Sequence, residues 1–473
     1  MSYIAKKFIG SREVDGELID VISPYSNEVV TQYVKSDLDD VTEVFERARL
    51  AFHDTKKSPL HQRISWLEDV ADRLEENKEY FALLITKEVS KPISQSRVEV
   101  QRAVENIRLV AKELINLNGE TIPTDATPSG FKTEAFFKRV PLGVVVAITP
   151  FNFPLNLVAH KIVPALGAGN SVILKPTPEA PFVAYSFAKL FIESDYAIKD
   201  ALSVVYGDAE IGGALVSSSI PRVVSFTGSV QVGKIITQNA GIKKVALELG
   251  GNAATFVEST ADLEKASKRC AIGAFSNSGQ VCISLQRIYV DEKIYDEFAE
   301  LLAQESKKLV VGSPFNEETF IGPLINEDAV NRAKSWVESA KQEGAKVIAG
   351  GVIKEGNIFT PTVLANVTDE MNVVCEEVFA PIVSLVKVDS YETAVRKMNN
   401  SPYGLQFSIF TNRIDLMKRA IEDFDCGGIV VNDIPTLRFD IQPYGGVKLS
   451  GVGREGPKYA LEEMTEIKSV VIC

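Results

Sequence analysis

The spacing of apolar and polar residues changes twice along the chain and divides it into segments of different kinds. The first stretch, which contains residues 8–11 and 22–26, combines short apolar runs with Gly, Pro and Ser, and this predicts short strands and turns. Residues 38–115 carry apolar positions at helical spacing with polar positions between them, which predicts long helices with one buried face. Trp66 lies within this part and is expected to be a core residue.

Beyond residue 141, short apolar runs alternate with helical segments. The runs in the first series are residues 143–148, 171–174, 202–205 and 223–226. Apolar runs separated by helices predict buried parallel strands in a doubly wound α/β sheet. A second alternating series covers residues 252–439, with strands expected near residues 287–290 and 409–410.

Two segments fall outside both series. Residues 116–138 are rich in Gly, Thr and Pro and indicate an extended chain that ends the helical pattern. Residues 467–472 form a β-prone tail, which is expected to pair with another element or another subunit.

Composition narrows the class of protein. A chain of 473 residues exceeds the size of one hydrophobic core, so two or three domains are expected. The net charge of −12 at pH 7 argues against nucleic acid or an anionic membrane as the main partner. No apolar run approaches the ~18 residues of a spanning helix, and the first residues lack the apolar core of a secretion signal, so a cytoplasmic location is expected.

Among the five cysteines, Cys282 has a sequence context unlike the others. The cysteines are widely spaced, odd in number and form no C-x-x-C pair, so neither a disulfide framework nor a metal site is expected. Cys270 and Cys375 fit small buried hydrophobic residues, whereas Cys426 and Cys473 have no predicted role. Cys282 follows the Ser/Asn/Gly-rich residues 276–281, where a loop can present its thiol.

The sequence contexts of Glu248 and Asn152 suggest that both could act together with the Cys282 thiol. Glu248 ends the β-rich run 245–247, and active sites of α/β proteins collect at such strand ends. A thiolate nucleophile and a separate general base are the two groups that covalent catalysis on a carbonyl requires. Asn152 follows a buried strand and is flanked by prolines, so its amide could stabilise an oxyanion; a turn-forming asparagine is the alternative.

A phosphate-binding turn is predicted at residues 226–233, which follow a strand and open a helix. Backbone N–H groups at a helix N-terminus bind phosphate oxygens. The Gly-x-Gly-x-x-Gly fingerprint is absent, and a plain turn between strand and helix would have the same pattern. Lys175 ends another strand, where it could reach a ribose or phosphate; a solvated surface lysine is the alternative.

Seven short motifs resemble those of the aldehyde dehydrogenase superfamily, in the same order and over nearly the whole chain. The motifs are Pro150-Phe151-Asn152, Leu174-Lys175-Pro176, Phe226-Thr227-Gly228-Ser229, Glu248-Leu249-Gly250-Gly251, Gly279-Gln280-Val281-Cys282, Glu377-Val378-Phe379-Ala380-Pro381 and Pro443-Tyr444-Gly445-Gly446-Val447-Lys448-Leu449-Ser450-Gly451. The resemblance implies an α/β fold with a Rossmann-like cofactor domain over residues 1–115 and 140–248 and an α/β catalytic domain over residues 249–450. It also implies a small β bridging or oligomerisation element, residues 116–139 and 451–473, in a homodimer or homotetramer.

The resemblance further implies NAD(P)-dependent oxidation of an aldehyde to its carboxylic acid. Cys282 would form a thiohemiacetal and then a thioester, Asn152 and the backbone N–H of Cys282 would stabilise the oxyanion, and Glu248 would activate the hydrolytic water. Relatives that transfer the acyl group to coenzyme A lack a base at the Glu248 position. Two alternatives are a catalytically silent structural relative and a cysteine hydrolase without a nicotinamide cofactor. The joint presence of Cys282, Glu248, Asn152 and Lys175 disfavours the first, and the second needs a histidine beside the thiol.

A dinucleotide site follows from the same resemblance. The implied cofactor-binding residues are Thr149, Pro150, Phe151, Lys175, Thr177, Glu179, Gly228, Ser229, Gly233, Leu249, Glu377 and Phe379. Many NAD-preferring members carry a glutamate three residues after the lysine, where this chain has Pro178, with the acid one position later at Glu179. The cofactor is therefore expected to be NAD or NADP.

At His160 and Arg438 the chain resembles one branch of the superfamily. That branch acts on short anionic or hydroxylated aldehydes, such as sulfolactaldehyde, phosphonoacetaldehyde, lactaldehyde and glyceraldehyde 3-phosphate. Arg438 offers a planar fork to an anion, with an ion pair to Asp433 or Asp440 as the alternative. His160 is expected to be either a second donor to the substrate or a core histidine.

Further positions bear on the substrate. Arg102 and Arg108 lie on a helix expected to line the channel entrance, where a solvated face is the alternative. Val281 and Asn116 stand where relatives that oxidise phosphonates or glyceraldehyde 3-phosphate often carry arginine. This favours a sulfonate or a small hydroxyaldehyde over a doubly charged phosphate, with succinate semialdehyde and glyceraldehyde 3-phosphate as alternative substrates.

Overall fold

Two large β-sheets, each accompanied by helices, carry most of the chain. The structure is a computed structural model that describes residues 3–473. In chain order its strands are β1 (Ile4–Ala5), β2 (Lys7–Ile9), β3 (Arg12–Val14), β4 (Leu18–Ile22), β5 (Val29–Val34), β6 (Glu120–Ile122), β7 (Glu134–Pro141), β8 (Val144–Ile148), β9 (Ser171–Lys175), β10 (Leu202–Val204), β11 (Val223–Thr227), β12 (Lys244–Glu248), β13 (Ala253–Val257), β14 (Leu285–Asp291), β15 (Lys346–Ala349), β16 (Ile353–Glu355), β17 (Ile358–Phe359), β18 (Thr362–Ala365), β19 (Ile382–Val388), β20 (Tyr403–Gly404), β21 (Gln406–Phe410), β22 (Gly428–Val431), β23 (Val447–Lys448), β24 (Gly451–Val452) and β25 (Thr465–Ile472).

The helices include the long amphipathic ones that the helical spacing of residues 38–115 predicts. In chain order they are α1 (Leu38–Thr55), α2 (Leu60–Glu76), α3 (Lys78–Val89), α4 (Ile93–Glu113), α5 (Asn156–Gly167), α6 (Pro181–Ile192), α7 (Ala209–Ser217), α8 (Val230–Ala240), α9 (Leu263–Phe275), α10 (Tyr295–Lys308), α11 (Glu327–Gln342), α12 (Asn372–Cys375), α13 (Tyr391–Asn399), α14 (Ile414–Asp423) and α15 (Pro457–Glu463). Short 3-10 turns lie at Leu114–Asn116, Thr124–Ala126, Pro128–Gly130 and Ser276–Gly279. Trp66 is buried in α2, as expected of a core residue.

The first sheet has its strands in the order β24-β12-β11-β8-β9-β10-β2-β3. Strands β12, β11, β8, β9 and β10 run parallel, and the apolar runs predicted to be buried strands are buried here. Parallel strands present their carboxyl ends at one edge of the sheet, so the residues that follow β8, β9, β11 and β12 come together there. The expected α/β fold is confirmed.

The second sheet has the order β15-β18-β19-β14-β13-β21-β22, and all of its pairs are parallel except β15 with β18. Glu248 ends β12 of the first sheet and Ala253 begins β13 of the second. Residues 249–252 therefore carry the chain from one sheet directly to the other. The predicted nucleophile also lies at this junction, because Cys282 precedes β14.

A third, three-stranded sheet joins the β-prone tail to the extended segment. Its order is β25-β7-β6, and β25 pairs antiparallel with β7 from Thr465 to Ile472. The tail thus pairs with another element of the same chain. One boundary differs from the expectation: β24 lies within the predicted bridging element, yet it pairs with β12 of the first sheet. Within residues 3–473, no helix combines the length and the apolar character needed to cross a bilayer.

A buried carboxylate holds the first turn of α5, directly after the segment that carries Asn152. Glu99 Oε1 accepts hydrogen bonds from the backbone N–H groups of Leu155 at 2.9 Å and Asn156 at 3.1 Å. The ammonium group of Lys91 pairs with Glu99, and both side chains are buried. An anion at a helix N-terminus is favourable, and its burial requires the positive partner.

We predict that Lys91→Met lowers the free energy of unfolding by about 3–5 kcal/mol, because it leaves the Glu99 carboxylate buried without its partner. The measurement is the midpoint of urea unfolding. Lys78→Met is the matched control, since Lys78 is exposed at the start of α3 and its loss is expected to cost less than about 0.5 kcal/mol.

The double variant Lys91→Met/Glu99→Gln is expected to be more stable than Lys91→Met, because it removes the unpaired charge. A midpoint for Lys91→Met equal to that of the native chain would contradict the role of this ion pair.

Candidate active site

A cavity of about 840 Å³ lies at the junction of the two large sheets. The sequence-predicted residues that line it are Asn152, Glu248, Cys282, Pro150, Phe151, Thr177, Glu179, Gly228, Ser229, Leu249, Glu377, Phe379, Arg102 and Arg438. Residues from widely separated parts of the sequence, predicted to be catalytic, cofactor-binding and substrate-binding, therefore face one common space.

The other predicted site residues lie outside this lining, namely Thr149, Lys175, Gly233, His160 and Arg108. Thr149 and Lys175 are buried at the ends of the paired strands β8 and β9. Gly233 packs against Leu249, and a Cβ at this position would lie only 2.6 Å from Leu249 Cδ2. A glycine here lets α8 pack closely against Leu249, which does face the cavity.

Arg108 requires a correction. Its Nη2 pairs with Asp72 at 2.8 Å and with Glu75 at 2.7 Å, and both carboxylates lie on α2. The side chain therefore ties α4 to α2 at the surface and does not reach the cavity. Arg102 lies on the same helix and does line it.

Left-handed backbone conformations shape the loop that precedes Cys282. Asn277, Ser278 and Gly279 have φ angles of 49°, 55° and 72°. Glycine is required at the third position, since a Cβ at Gly279 would lie 2.2 Å from the backbone oxygen of Ala380. This tight turn ends the helical geometry after α9 and brings the thiol to the cavity wall.

The environment of Cys282 has opposing effects on its ionisation. Burial raises the pKa of the thiol to about 11, and the negative charges of Glu248 and Glu377 add to this effect. A hydrogen bond with the hydroxyl of Tyr444, at 3.0 Å from Sγ, lowers the pKa, and so does the charge of Arg438. These two groups favour the thiolate, which is the nucleophilic form.

The amide of Asn152 is held next to the thiol loop. Its Nδ2 donates to the backbone oxygen of Gln280 at 3.0 Å, and Asn277 Nδ2 donates to the backbone oxygen of Asn152 at 3.1 Å. A primary amide carries two N–H groups. Within residues 3–473 the second N–H of Asn152 has no acceptor, so it is available to an oxygen in the cavity.

Glu248 is buried at the end of β12, and within the described part of the chain its Oε2 has no hydrogen-bond partner. Gly445 makes room for it, because a Cβ there would lie 2.9 Å from Glu248 Oε1. Burial, followed by the negative charge of Glu455, raises the pKa of Glu248 well above its usual range, while Lys161 and Arg438 act in the opposite direction. A carboxyl group with a raised pKa beside a candidate nucleophile is typical of a general base.

The predicted phosphate-binding turn has the form that the sequence indicates. Ser229 caps α8, with its Oγ accepting the N–H of Val232 at 3.3 Å. Thr227 also lines the cavity, and its Oγ1 is buried with no partner among residues 3–473. An open helix N-terminus and an unpaired hydroxyl fit the pyrophosphate of a nicotinamide dinucleotide.

Glu377 and Phe379 form the part of the wall nearest to the link between the sheets. Glu377 Oε1 accepts the N–H of Gly251 at 2.9 Å, and burial raises the pKa of this carboxyl group to about 7. Phe379 has a φ of 47°, which is a strained conformation for a bulky residue, and its ring meets that of Phe151 edge to face at 6.0 Å. These groups fit a nucleotide ribose and an adjoining aromatic ring.

Glu179 brings a negative charge to the same cavity. The hydroxyl of Thr177 donates to Glu179, and both side chains line the wall. Burial lowers the pKa of the nearby Lys175 ammonium group, and the charge of Glu179 partly restores it. A lysine and a carboxylate of opposite charge thus lie together at the carboxyl end of β9.

Arg438 lines the cavity and retains unused donors. Its Nη2 donates to Glu455 at 3.1 Å, and its Nε is buried 3.9 Å from Asp440 without a hydrogen-bond partner in the described part of the chain. The guanidinium carbon lies 3.6 Å from the centre of the Tyr444 ring. Arg438 is therefore ion-paired, mainly with Glu455, and at the same time faces the cavity. The other partner considered, Asp433, pairs with Arg269 instead.

His160 is a core histidine and not part of the cavity wall, which corrects the substrate role considered for it. It is buried, and its Nε2 lies 3.1 Å from Asp440 Oδ1. Arg102 binds both oxygens of the same carboxylate, at 3.0 and 2.7 Å. Burial alone would raise the pKa of Asp440, but the bonds from His160 and Arg102 hold it well below its usual range.

Four residues of the site were missed from sequence. Tyr444 and Glu455 line the cavity, Lys161 lies behind it with its Nζ 3.4 Å from Glu455, and Arg332 lines the cavity near Glu377. Tyr444 lies within the last of the seven motifs, and this motif is its signal in the sequence. Arg332 had no local signal, because it belongs to a regular amphipathic helix whose partner surface is remote in sequence.

Comparisons with known proteins agree with this geometry. The model of the aldehyde dehydrogenase family matches residues 11–470. The 3-sulfolactaldehyde dehydrogenase of Priestia aryabhattai is 43% identical over 464 residues, which cover 98% of this chain and 96% of that protein.

Two solved structures are similar over the whole fold. Aldehyde dehydrogenase 21 from Physcomitrella patens, in complex with the reaction product succinate, has a TM-score of 0.97 and 36% identity, and the match covers 100% of this chain and 98% of that one. The glyceraldehyde-3-phosphate dehydrogenase of Methanocaldococcus jannaschii, complexed with NADP, has a TM-score of 0.92 and 39% identity over 96% of this chain and 98% of that one. The chain therefore belongs to the aldehyde dehydrogenase family, and it is an NAD(P)-dependent aldehyde dehydrogenase.

Proposed function

We propose that Cys282 is the nucleophile, Asn152 the oxyanion donor and Glu248 the general base of aldehyde oxidation in this chain. The observation that carries the proposal is that all three side chains line one cavity. The Cys282 thiolate forms a bond to the aldehyde carbon, and the carbonyl electron pair moves to oxygen. Asn152 Nδ2 and the backbone N–H of Cys282 donate to that oxygen. The bound nicotinamide dinucleotide supplies the acceptor for the hydride that leaves the same carbon.

Hydrolysis of the resulting thioester is assigned to Glu248. Its carboxylate takes a proton from water as the water oxygen attacks the thioester carbon. The C–S bond then breaks, the electron pair returns to Cys282 Sγ, and the carboxylic acid leaves. Glu248 can do this only when it has lost its proton, and its pKa is raised by burial and by the charge of Glu455.

Replacing Glu248 by Gln is predicted to leave hydride transfer intact and to slow thioester hydrolysis by about 10²–10⁴-fold, the usual contribution of a general base. Rapid mixing should show a burst of reduced cofactor equal to the enzyme concentration, followed by a stall. In the native chain, turnover is expected to rise with pH as Glu248 loses its proton, because its pKa is raised. This rise should be absent in the variant.

Glu376→Gln is the matched control, because Glu376 is an exposed neighbour of Glu377 and does not line the cavity. It is expected to show the native burst and the native pH profile. Steady turnover without a stall in Glu248→Gln would reject the assigned base.

We propose that the substrate is a short aldehyde with an anionic or hydroxylated tail, of the sulfolactaldehyde or lactaldehyde type. Arg438 and Arg102 line the cavity. A guanidinium group that faces a cavity can bind an anion there through charge-assisted hydrogen bonds. The similarity to a 3-sulfolactaldehyde dehydrogenase, and to an enzyme solved with succinate, supports the same class.

The local charge favours a singly charged tail over a phosphate. Asp440 and Glu455 already compensate the charges of Arg102 and Arg438, so the positive field available to a substrate is modest. Val281 contributes an apolar side chain to the cavity next to the thiol. Asn116 lies outside the cavity, so its identity does not bear on the choice. Succinate semialdehyde and glyceraldehyde 3-phosphate remain the alternatives for a substrate screen with NAD and NADP.

Arg102→Met is predicted to raise KM for anionic short aldehydes by about tenfold and KM for propionaldehyde by much less, since a charge-assisted hydrogen bond is lost only with the anionic substrate. Steady-state kinetics with both aldehydes measures the difference. Arg108→Met is the matched control on the same helix, because Arg108 binds Asp72 and Glu75 and not the cavity. Equal effects of Arg102→Met on the two aldehydes would remove it from the substrate site.

We propose that the chain forms a homodimer or homotetramer through the third sheet. The third sheet and the loop between β6 and β7 carry exposed apolar side chains, namely Ile122, Phe131, Ile467, Val471 and Ile472. Strand β25 is an edge strand of that sheet, with one side free to pair.

Sedimentation equilibrium is expected to give two or four times the mass of the single chain, and Val471→Asp to shift the distribution toward the monomer, because a charge cannot be buried without a partner. Ile242→Asp, an exposed apolar position on the turn after α8, is the control and should not change the mass. A native chain that sediments as a monomer contradicts the proposal.

A further inference from the structure

We propose that Tyr444 is a catalytic residue whose phenolic hydroxyl donates a hydrogen bond to the Cys282 thiolate, both before the sulfur attacks and when it leaves the thioester. The inference rests on the proposed role of Cys282 as the nucleophile. It goes beyond that role because it names the group that stabilises the sulfur anion.

The hydroxyl of Tyr444 has the sulfur as its partner. Tyr444 Oη lies 3.0 Å from Cys282 Sγ, and within residues 3–473 no other hydrogen bond of this hydroxyl is present. Tyr444 is buried. Burying a hydroxyl without a partner is costly, so the contact with sulfur is what satisfies it.

Hydrogen bonds hold the backbone of Tyr444 in place. The N–H of Tyr444 donates to the backbone oxygen of Glu455 at 3.0 Å, and the N–H of Glu455 donates back to the oxygen of Tyr444 at 2.7 Å. The ring packs in a small apolar cluster with Val281, Ile283 and Leu405. The hydroxyl is therefore aimed at the sulfur by rigid surroundings, which is the requirement for a preorganised donor.

A cation behind the ring strengthens the donor. The guanidinium carbon of Arg438 lies 3.6 Å from the ring centre, and Glu455 holds Arg438 in place at 3.1 Å. A positive charge over the ring draws electron density from it and makes the phenolic O–H a better donor. Arg438 therefore contacts the ring of Tyr444, and the hydroxyl of Tyr444 contacts the sulfur of Cys282.

The direction of the hydrogen bond follows from which group is ionised. Burial raises the pKa of Tyr444 well above its usual range, so the phenol keeps its proton. The pKa of the Cys282 thiol is raised to about 11 by burial and lowered by this hydrogen bond. The charged groups that act on the sulfur are Arg438, which favours the anion, and Glu248 and Glu377, which oppose it. When one of the pair ionises it is the thiol, and the phenol is the donor.

The hydrogen bond from Tyr444 acts at two steps, the attack of the sulfur and the hydrolysis of the thioester. The proton stays on the phenol at both steps. Before attack it stabilises the thiolate, and it weakens when the sulfur forms its bond to the aldehyde carbon and loses its charge. During hydrolysis the C–S bond breaks and the electron pair returns to sulfur. Tyr444 then stabilises the departing thiolate, while Glu248 holds the proton taken from water.

The test is the pH dependence of Cys282 alkylation by iodoacetamide in the full-length enzyme. Tyr444→Phe removes one oxygen and keeps the ring that packs against Arg438 and the apolar cluster. It is expected to raise the thiol pKa by about one unit and to slow alkylation at neutral pH about tenfold, since a hydrogen bond to a charged group is lost. KM for the aldehyde should change by less than about twofold, because the substrate does not bind this hydroxyl in the ground state.

Two controls separate this inference from the proposal on which it rests. Tyr295→Phe removes another buried hydroxyl of the catalytic domain, one that donates to the backbone oxygen of Leu385 at 3.4 Å, and should leave the alkylation profile unchanged. Cys282→Ser should abolish the labelling that depends on this thiol. Undiminished labelling of Cys282→Ser would overturn the nucleophile and this inference together. An alkylation profile of Tyr444→Phe that coincides with the native one, or that moves to lower pH, would overturn the role of Tyr444 alone.

Discussion

The active-site cavity depends on the ionisation of one half-buried cysteine, Cys282. Burial raises the pKa of the Cys282 thiol to about 11, although only the thiolate is nucleophilic. Tyr444 and Arg438 favour the anion, and Glu248 and Glu377 oppose it when they are charged. Burial also raises the pKa of both carboxyl groups, that of Glu377 to about 7. Because the coupling is mutual, the loss of the sulfur's charge on forming a thioester makes it easier for Glu248 to ionise. In the proposed mechanism, the thiolate of Cys282 and the carboxylate of Glu248 are therefore favoured one after the other.

The fold supports this arrangement through the short connection between its two large sheets. Residues 249–252 join the carboxyl end of β12 to the start of β13, and this link lies against the backbone of Cys282. Glycines permit the close approach, because a Cβ at Gly251 would lie 2.2 Å from the backbone oxygen of Cys282, and one at Gly250 would lie 2.4 Å from Glu377 Oε2. The charges of the site are therefore buried by backbone packing, and their pKa values follow from that packing.

Much of this could be predicted from sequence, and the exceptions have a physical reason. Apolar runs predicted the parallel strands, and the loop before Cys282 was recognised from its Ser, Asn and Gly content, because both signals are local. The partner of a long charged side chain is not local. Arg108 shares a helix with Arg102, yet it points to α2 and not to the cavity, and spacing along α4 does not distinguish the two. The placement of His160 in the core depends on Asp440, which is remote in sequence. The motif that contains Tyr444 does not predict the contact of its hydroxyl with the sulfur, because that contact requires two distant loops to meet.

The buried charges behind the cavity connect substrate binding to the chemistry. Glu455 accepts from Arg438 and Lys161, and its negative charge raises the pKa of Glu248. Those cations, together with His160, hold the pKa of Glu455 below its usual range, so it stays ionised. Arg438 pairs with Glu455, lies over the ring of Tyr444 and lines the cavity. If Arg438 binds the substrate as proposed, an anionic tail competes with Glu455 for the guanidinium and adds negative charge near Glu248 and Cys282. The proposal therefore links substrate charge to active-site ionisation through Arg438, and replacing Arg438 would alter both. Arg102 also lines the cavity, but among the carboxylates of this cluster it contacts Asp440 alone.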